Sequence, residues 1–411
     1  MWHCCVARFY AAVQYVNSRI RTFSPSALTS HPPIMHLPSR LGAFGLLPMH
    51  DDVAAKRSTG LFGYLDQRSA LKWVKAHIAA FGGDASRVLL FGQSAGATSV
   101  CVHLAMRGSY GAGLFHAAAM ESPYDCTRGD TLASALAQTD DFTKELKCDS
   151  SADIRTCLNG KSTAAVLIAA TGSLMPQTGG TSLPHPTVDG IELLGSPYRI
   201  LKQSGTPVPI LVGSNTNEGT FFLHGPASLS ALSSQLASLT GGNASLLARA
   251  KTLYPATGGR YFAAMAASLG HAKVNCVARR IAAAGAGSGS GGSYLYHFAR
   301  FNTCSDFSPL TDGVTHTMEL AYVFDQPGSS TAKCRQGFSA PDALLSSNMM
   351  AAWSSFAASG APGATMMSPA WPKTGVNALE GYVWNTTQAV ESEYLGSFCS
   401  FWDEVNDARV F

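Results

Sequence analysis

The chain has 411 residues, of which 46% are hydrophobic and 13% charged, with ten cysteines and a formal net charge of +3. That much apolar surface offsets the ordering entropy of a globular core and excludes a disordered chain. The small charge, with no long Lys/Arg cluster, points to no nucleic-acid partner, and no stretch approaches the roughly 20 apolar residues of a membrane span.

At the N-terminus, Trp2, Val6, Phe9, Val13, Val16 and Ile20 recur at alternating spacings of four and three, one face of a helix. Arg8, Arg19 and Arg21 accompany them, and no Asp or Glu precedes Asp51. An acid-free, Arg-bearing amphipathic start resembles an organelle transit peptide; a helix packed on the body and sequence from a wrongly placed start are the alternatives. No apolar segment followed by a small-residue cleavage site marks a secretory signal. Residues 22–38, rich in Ser, Pro and His, read as an irregular connection. Residues 1–38 are therefore set apart as a non-core segment, and 39–411 as one domain.

Leu71, Val74, Ile78 and Phe81 lie at helical spacing before the stop signal Gly82-Gly83. The apolar run Arg87–Phe91 then reads as a strand, followed at once by Gly92-Gln93-Ser94-Ala95-Gly96 and a helix-compatible stretch to Met106. Further on, Val208–Val212 leads into a loop holding Glu218, and Tyr294–Phe298 leads, after a loop, to His316. Continuously apolar strands alternating with helices predict an α/β protein, with a mostly parallel sheet covered on both faces.

A Gly-x-Ser-x-Gly match alone is weak, but this one falls between a strand and a helix, where a nucleophile elbow belongs. A sharp turn there lifts the Ser94 hydroxyl above the sheet edge and aims the Ala95 amide at a developing oxyanion. A serine hydroxyl needs a base, and the base an acid to orient it. Glu218 and His316 follow Ser94 in the order Ser, acid, His, each in a loop beyond a strand on the same sheet edge. No metal-ligand spacing occurs, and the chemistry needs no cofactor.

Cys148 and Cys157 bracket a short polar loop that a disulfide could close, which favours an oxidising compartment; a free buried cysteine is the alternative for each. Sequons at Asn243 and Asn385 are glycosylation candidates.

From about Leu41 onward the chain resembles the type-B carboxylesterase and cholinesterase family of α/β-hydrolases. The matching runs are Leu65-Asp66-Gln67-Arg68, Phe81-Gly82-Gly83-Asp84, Phe91 through Ala97, Val188-Asp189-Gly190, Asn217-Glu218-Gly219, Gly313-Val314-Thr315-His316, Met349 to Gly360 and Phe401-Trp402. The resemblance implies a carboxylic ester hydrolase acting on a small-molecule or lipid ester. Ser94 would form the acyl intermediate, His316 act as general acid/base, Glu218 orient it, and Ser122 support the triad. It also implies an Arg40–Asp66 ion pair and the disulfides Cys148–Cys157 and Cys276–Cys399. Cys304 and Cys334 could pair, while Cys4, Cys5, Cys101 and Cys126 are unassigned. The disulfides and sequons favour the secretory lumen or secretion, with an organelle or the cytoplasm as alternatives.

The family's Gly-rich oxyanion loop has no counterpart upstream of Ser94. Ahead of Arg40 stands His31-Pro32-Pro33, poor strand material. The expectation is an N-terminally truncated member lacking early strands, with an open sheet edge and a slowed reaction. A weakly active or inactive family member that serves as a binding or adhesion protein is the alternative function.

Overall fold

The computed structural model describes residues 11–15, 34–36, 39–126, 129–151, 153–170, 185–223, 227–289, 291–301, 313–329, 334, 336–363, 369–375 and 379–407. Among the described residues ten strands are present: β1 (Ala11–Tyr15), β2 (Ile34–His36), β3 (Val88–Gln93), β4 (Ala117–Glu121), β5 (Asp130–Thr131), β6 (Thr187–Val188), β7 (Ile210–Asn215), β8 (Ser293–Phe298), β9 (Gly381–Trp384) and β10 (Ala389–Glu391). Eight of them form one sheet in the order β10-β9-β8-β7-β4-β3-β1-β2, and β5 pairs with β6 alone. The centre, β3 to β9, is parallel, while β10, β1 and β2 are antiparallel additions at the two edges.

The principal helices are α1 (Phe62–His77), α2 (Ala95–Ala105), α3 (Cys276–Ala286), α4 (Ala340–Ser359) and α5 (Gly396–Asp407). Alternation along the strands assigns the two sheet faces. Val88, Leu90, Met120, Val212 and Leu295 pack with residues of α1, α2 and α3. Leu89, Phe91, Ala119, Leu211 and Tyr296 pack instead with Met349, Trp353 and Phe356 of α4. Because both faces are covered, the strands read as unbroken apolar runs in the sequence. Among the described residues no helix is long and apolar enough to cross a membrane.

The structure departs from the expected N-terminal helix. Ala11–Tyr15 is a strand pairing antiparallel with all but the last residue of β3, from Val88 to Gly92; the remainder of 1–20 lies outside the described residues. The unpaired amides and carbonyls along β3 are a stronger local demand than a few apolar residues at helical spacing. β1 thus closes the edge expected to stand open, and Ile34–His36 pairs on its outer side. That strand falls within the stretch read as an irregular connection. It lies at the sheet margin, where a proline-rich stretch can still supply a strand.

Arg40 pairs with Asp66 through two side-chain bonds of 2.7 and 2.8 Å, anchoring the chain entry to α1. Disulfides join Cys148 with Cys157 and Cys276 with Cys399, the second tying α3 to α5. A third joins Cys101 of α2 to Cys126, two cysteines left unassigned by the sequence. Cys334 is also disulfide-bonded, whereas Cys304, Cys4 and Cys5 lie outside the described residues.

Candidate active site

Ser94 occupies the single residue between β3 and α2, with φ 57° and ψ −121°. A non-glycine residue holds such a backbone only when its surroundings enforce it. Here the Ser94 amide donates to the Glu121 carbonyl (2.9 Å), and its own carbonyl accepts the Thr98 amide (3.0 Å). The side chain is left half-buried at the sheet's C-terminal edge. Ala95 is the first residue of α2, so its N–H has no intrahelical acceptor and lies at the positive end of the helix dipole.

Glu218 follows β7 at the start of a short 3-10 turn, Glu218–Phe222. Its neighbour Gly219 is required by close approach, since a Cβ there would run into the Ala266 carbonyl. Glu218 Oε1 accepts the Ser122 hydroxyl and the Asn215 amide, each at 2.6 Å. Oε2 meets His316 Nδ1 at 2.5 Å. Both side chains are buried, Glu218 and His316 each at 1% exposure. A carboxylate at that distance places a proton on Nδ1 and leaves the lone pair of the imidazole on Nε2. The imidazole is wedged against Phe221 and Phe222, with ring centroids 5.4 and 5.0 Å away.

The residue meeting His316 Nε2 is Gln93, whose amide nitrogen lies 3.2 Å away. Among the described residues no hydrogen bond joins Ser94 to His316. The structure brings Glu218, His316 and Ser122 together, and sets Ser94 one residue beyond Gln93, the side chain that meets His316 Nε2.

Two buried acids were not among the site residues read from the sequence. Glu121, at 0% exposure, accepts the Trp353 indole N–H at 2.7 Å. Burial and the nearby Glu319 charge push its carboxyl up to about 8, against the Trp353 bond. Glu319, also at 0%, accepts the Asn215 side-chain amide at 2.5 Å. Burial and the charge of Glu218 push it up to about 7, with His316 and Asn215 acting in the opposite direction. The visible signal was a carboxylate ending the apolar strand Ala117–Met120. Among the described residues no cluster of His, Cys, Asp and Glu could hold a metal ion. Asn243 is exposed and caps the helix that follows it, and Asn385 is half-buried beside β9.

A profile of the carboxylesterase family matches residues 34–402. The chain belongs to the carboxylesterase family. It is 36% identical over 200 residues to Secreted lipase 1 of Botryotinia fuckeliana (strain B05.10), covering 44% of this chain and 33% of that protein. It is 38% identical over 183 residues to cocaine esterase of Homo sapiens, covering 44% and 30% respectively. The matched stretches thus span about a third of these curated relatives' own length. The fold superposes on a PNB esterase with a TM-score of 0.72 and 25% identity, covering 89% of this chain and 74% of the other. A thermophilic PNB esterase superposes with 0.74 and 25%, covering 89% and 73%.

Proposed function

We propose that this carboxylesterase-family protein is a serine carboxylic ester hydrolase working by two-step acyl transfer. His316 Nε2 takes the Ser94 proton as the hydroxyl attacks the ester carbonyl, and returns it to the departing alcohol. Water repeats the cycle on the acyl-Ser94 intermediate. The Ala95 N–H faces the oxyanion, and Glu218 keeps the imidazole in the required tautomer. The observation carrying the reading is the 2.5 Å contact of His316 Nδ1 with a buried Glu218, beside a serine on a strained strand–helix turn.

The substrate we infer is an ester with an apolar acyl or alcohol part. Phe221, 51% exposed beside His316, supports this because it offers an apolar surface next to the base. A short-chain aryl ester assay on the folded protein, compared with Ser94→Ala, tests the proposal. Turnover that disappears in the variant is expected.

Gln93 favours a second reading, a binding protein with little turnover, because its amide occupies the Nε2 position that Ser94 must reach. Equal background rates in both proteins would support it. The disulfides, a secreted lipase relative and the exposed sequon at Asn243 support the secretory lumen as the place where the chain works.

A further inference from the structure

The residues that follow β4, Ser122 to Cys126, join parts of the molecule that lie far apart in the sequence. Ser122 and Asp125 hold φ of 51° and 49°, in the left-handed region that favours glycine. Two such residues persist in one short segment only where the surroundings enforce them. The fastenings come from three elements. The Ser122 amide donates to the Gly213 carbonyl of β7 (2.8 Å), and the Asp125 amide to the Lys273 carbonyl just ahead of α3 (3.0 Å). The Lys273 ammonium also donates to Asp125 Oδ2, at 2.6 Å. From α2, the Thr98 hydroxyl donates to the Tyr124 carbonyl at 2.5 Å, and Cys101 is bonded to Cys126.

Thr98 and Cys101 stand three residues apart, on one face of α2. Their two attachments lay the segment along the helix that begins at the nucleophile turn. The Thr98 amide also donates to the Ser94 carbonyl, at 3.0 Å. On its other side the segment reaches the acid and the base. Ser122 gives its hydroxyl to Glu218 Oε1 (2.6 Å). The Tyr124 ring packs on Phe222, with centroids 5.3 Å apart, and Phe222 packs on His316 at 5.0 Å. Cys101, Cys126 and Ser122 are each at 0% exposure. The sulfur link is therefore a core connection between helix and segment, and its Cα–Cα distance of 6.2 Å lies within the ordinary range for a disulfide.

We propose that Cys101–Cys126 is a positioning element of the active site, a covalent clamp that holds the Ser122–Cys126 segment on α2 and so keeps Glu218 and His316 placed against Ser94. This rests on the ester-hydrolase reading above. Ser94 stands on the β3–α2 turn, whereas Glu218 follows β7 and His316 follows β8. Their mutual placement is set by whatever fastens those elements together, and the clamped segment touches all three. Without the clamp the two left-handed residues relax. Ser122 then shifts against Glu218, and the Tyr124 ring shifts against Phe222. Reacting groups misplaced by about an ångström lose up to ~10²-fold in rate, so a smaller displacement is enough to be read in the kinetics.

The test begins with peptide mapping of the full wild-type chain under non-reducing conditions. The peptides of Cys101 and Cys126 should be recovered joined, and free thiols at both would overturn the proposal. Cys101→Ala/Cys126→Ala is then compared with Cys148→Ser/Cys157→Ser, whose disulfide packs with Phe142 and Val166 in a separate cluster. The readouts, on protein shown to be folded by circular dichroism, are the rate of Ser94 labelling by a fluorophosphonate and the kcat and KM of an aryl ester. Loss of Cys101–Cys126 should slow labelling and lower kcat about tenfold, with KM held. Loss of Cys148–Cys157 should lower the melting temperature and leave labelling at the wild-type rate. Wild-type labelling in the first variant, or equal slowing in the second, would show a merely structural link and overturn the proposal. Tyr124→Leu keeps the disulfide and carries the test should the first variant fail to fold. It should slow labelling and Tyr124→Phe should restore it, because the ring is what bears on Phe222; an unslowed Tyr124→Leu would also overturn the proposal. Wild type that takes no label defeats the hydrolase reading itself, whereas a labelled wild type with unslowed variants defeats the clamp alone.

Discussion

Gln93 Nε2 lies 3.2 Å from His316 Nε2, the nitrogen that must turn toward Ser94 in the proposed reaction. With Nδ1 protonated against Glu218, the Gln93 amide donates into the lone pair needed for proton abstraction. Gln93→Ala removes that competitor at the cost of roughly one hydrogen bond, about 1 kcal/mol. Ser94 labelling by a fluorophosphonate should then quicken roughly five- to tenfold. Slower labelling in the variant would mean that Gln93 orients the base instead of occupying it.

Glu218→Gln replaces the acceptor at His316 Nδ1 with a group that can present an N–H there. The imidazole would turn to the wrong tautomer, an exchange that typically costs ~10³- to 10⁴-fold in the chemical step. Steady-state hydrolysis of an aryl ester measures this, with circular dichroism confirming the fold. Ser122→Ala removes one of the two bonds to Glu218 Oε1. A charge-assisted bond of this kind is worth about 1.5–3 kcal/mol, so both thermal stability and turnover should fall, turnover by about tenfold.

His185 lies between Asp125 (3.5 Å) and Asp130 (3.4 Å). Burial alone would lower its affinity for a proton, but the two carboxylates outweigh that and raise it to about 9. The folded state therefore binds this proton more tightly than the unfolded chain does. The resulting stability is full below the ordinary histidine value of 6.5 and is lost as pH rises through about 9. Melting temperatures taken between those limits should decline in wild type and decline less in His185→Gln.

Cys276–Cys399 closes a separation of 123 residues, and Cys148–Cys157 one of nine. On the chain-entropy account these constrain the unfolded state by roughly 5 and 2.5 kcal/mol. Replacing the first pair with serine should lower the denaturant midpoint clearly more than replacing the second. Equal losses would show that local packing sets the effect, not loop closure.

The elbow around Ser94 was legible because strand, turn and helix are contiguous, and each leaves a local pattern. Glu218 and His316 were legible only through their order and their place after strands, since 98 residues separate them. The partners of Glu121 were not. Its burial depends on Trp353, 232 residues away, and on the gap left by Gly213, neither of which has a local signature. The strand at Ala11–Tyr15 was misread for a related reason. The open edge of β3 that recruits it is a property of the assembled sheet, whereas its own residues carry a weak helical spacing.

The most direct test of the central claim is mass-spectrometric mapping of the peptide containing Ser94 after exposure of the folded protein to a fluorophosphonate. The account predicts phosphonylation at Ser94 in wild type, its disappearance in Ser94→Ala, and strong suppression in Glu218→Gln. A folded wild-type protein that leaves Ser94 unmodified, or that is modified equally at another residue in all three, would contradict it.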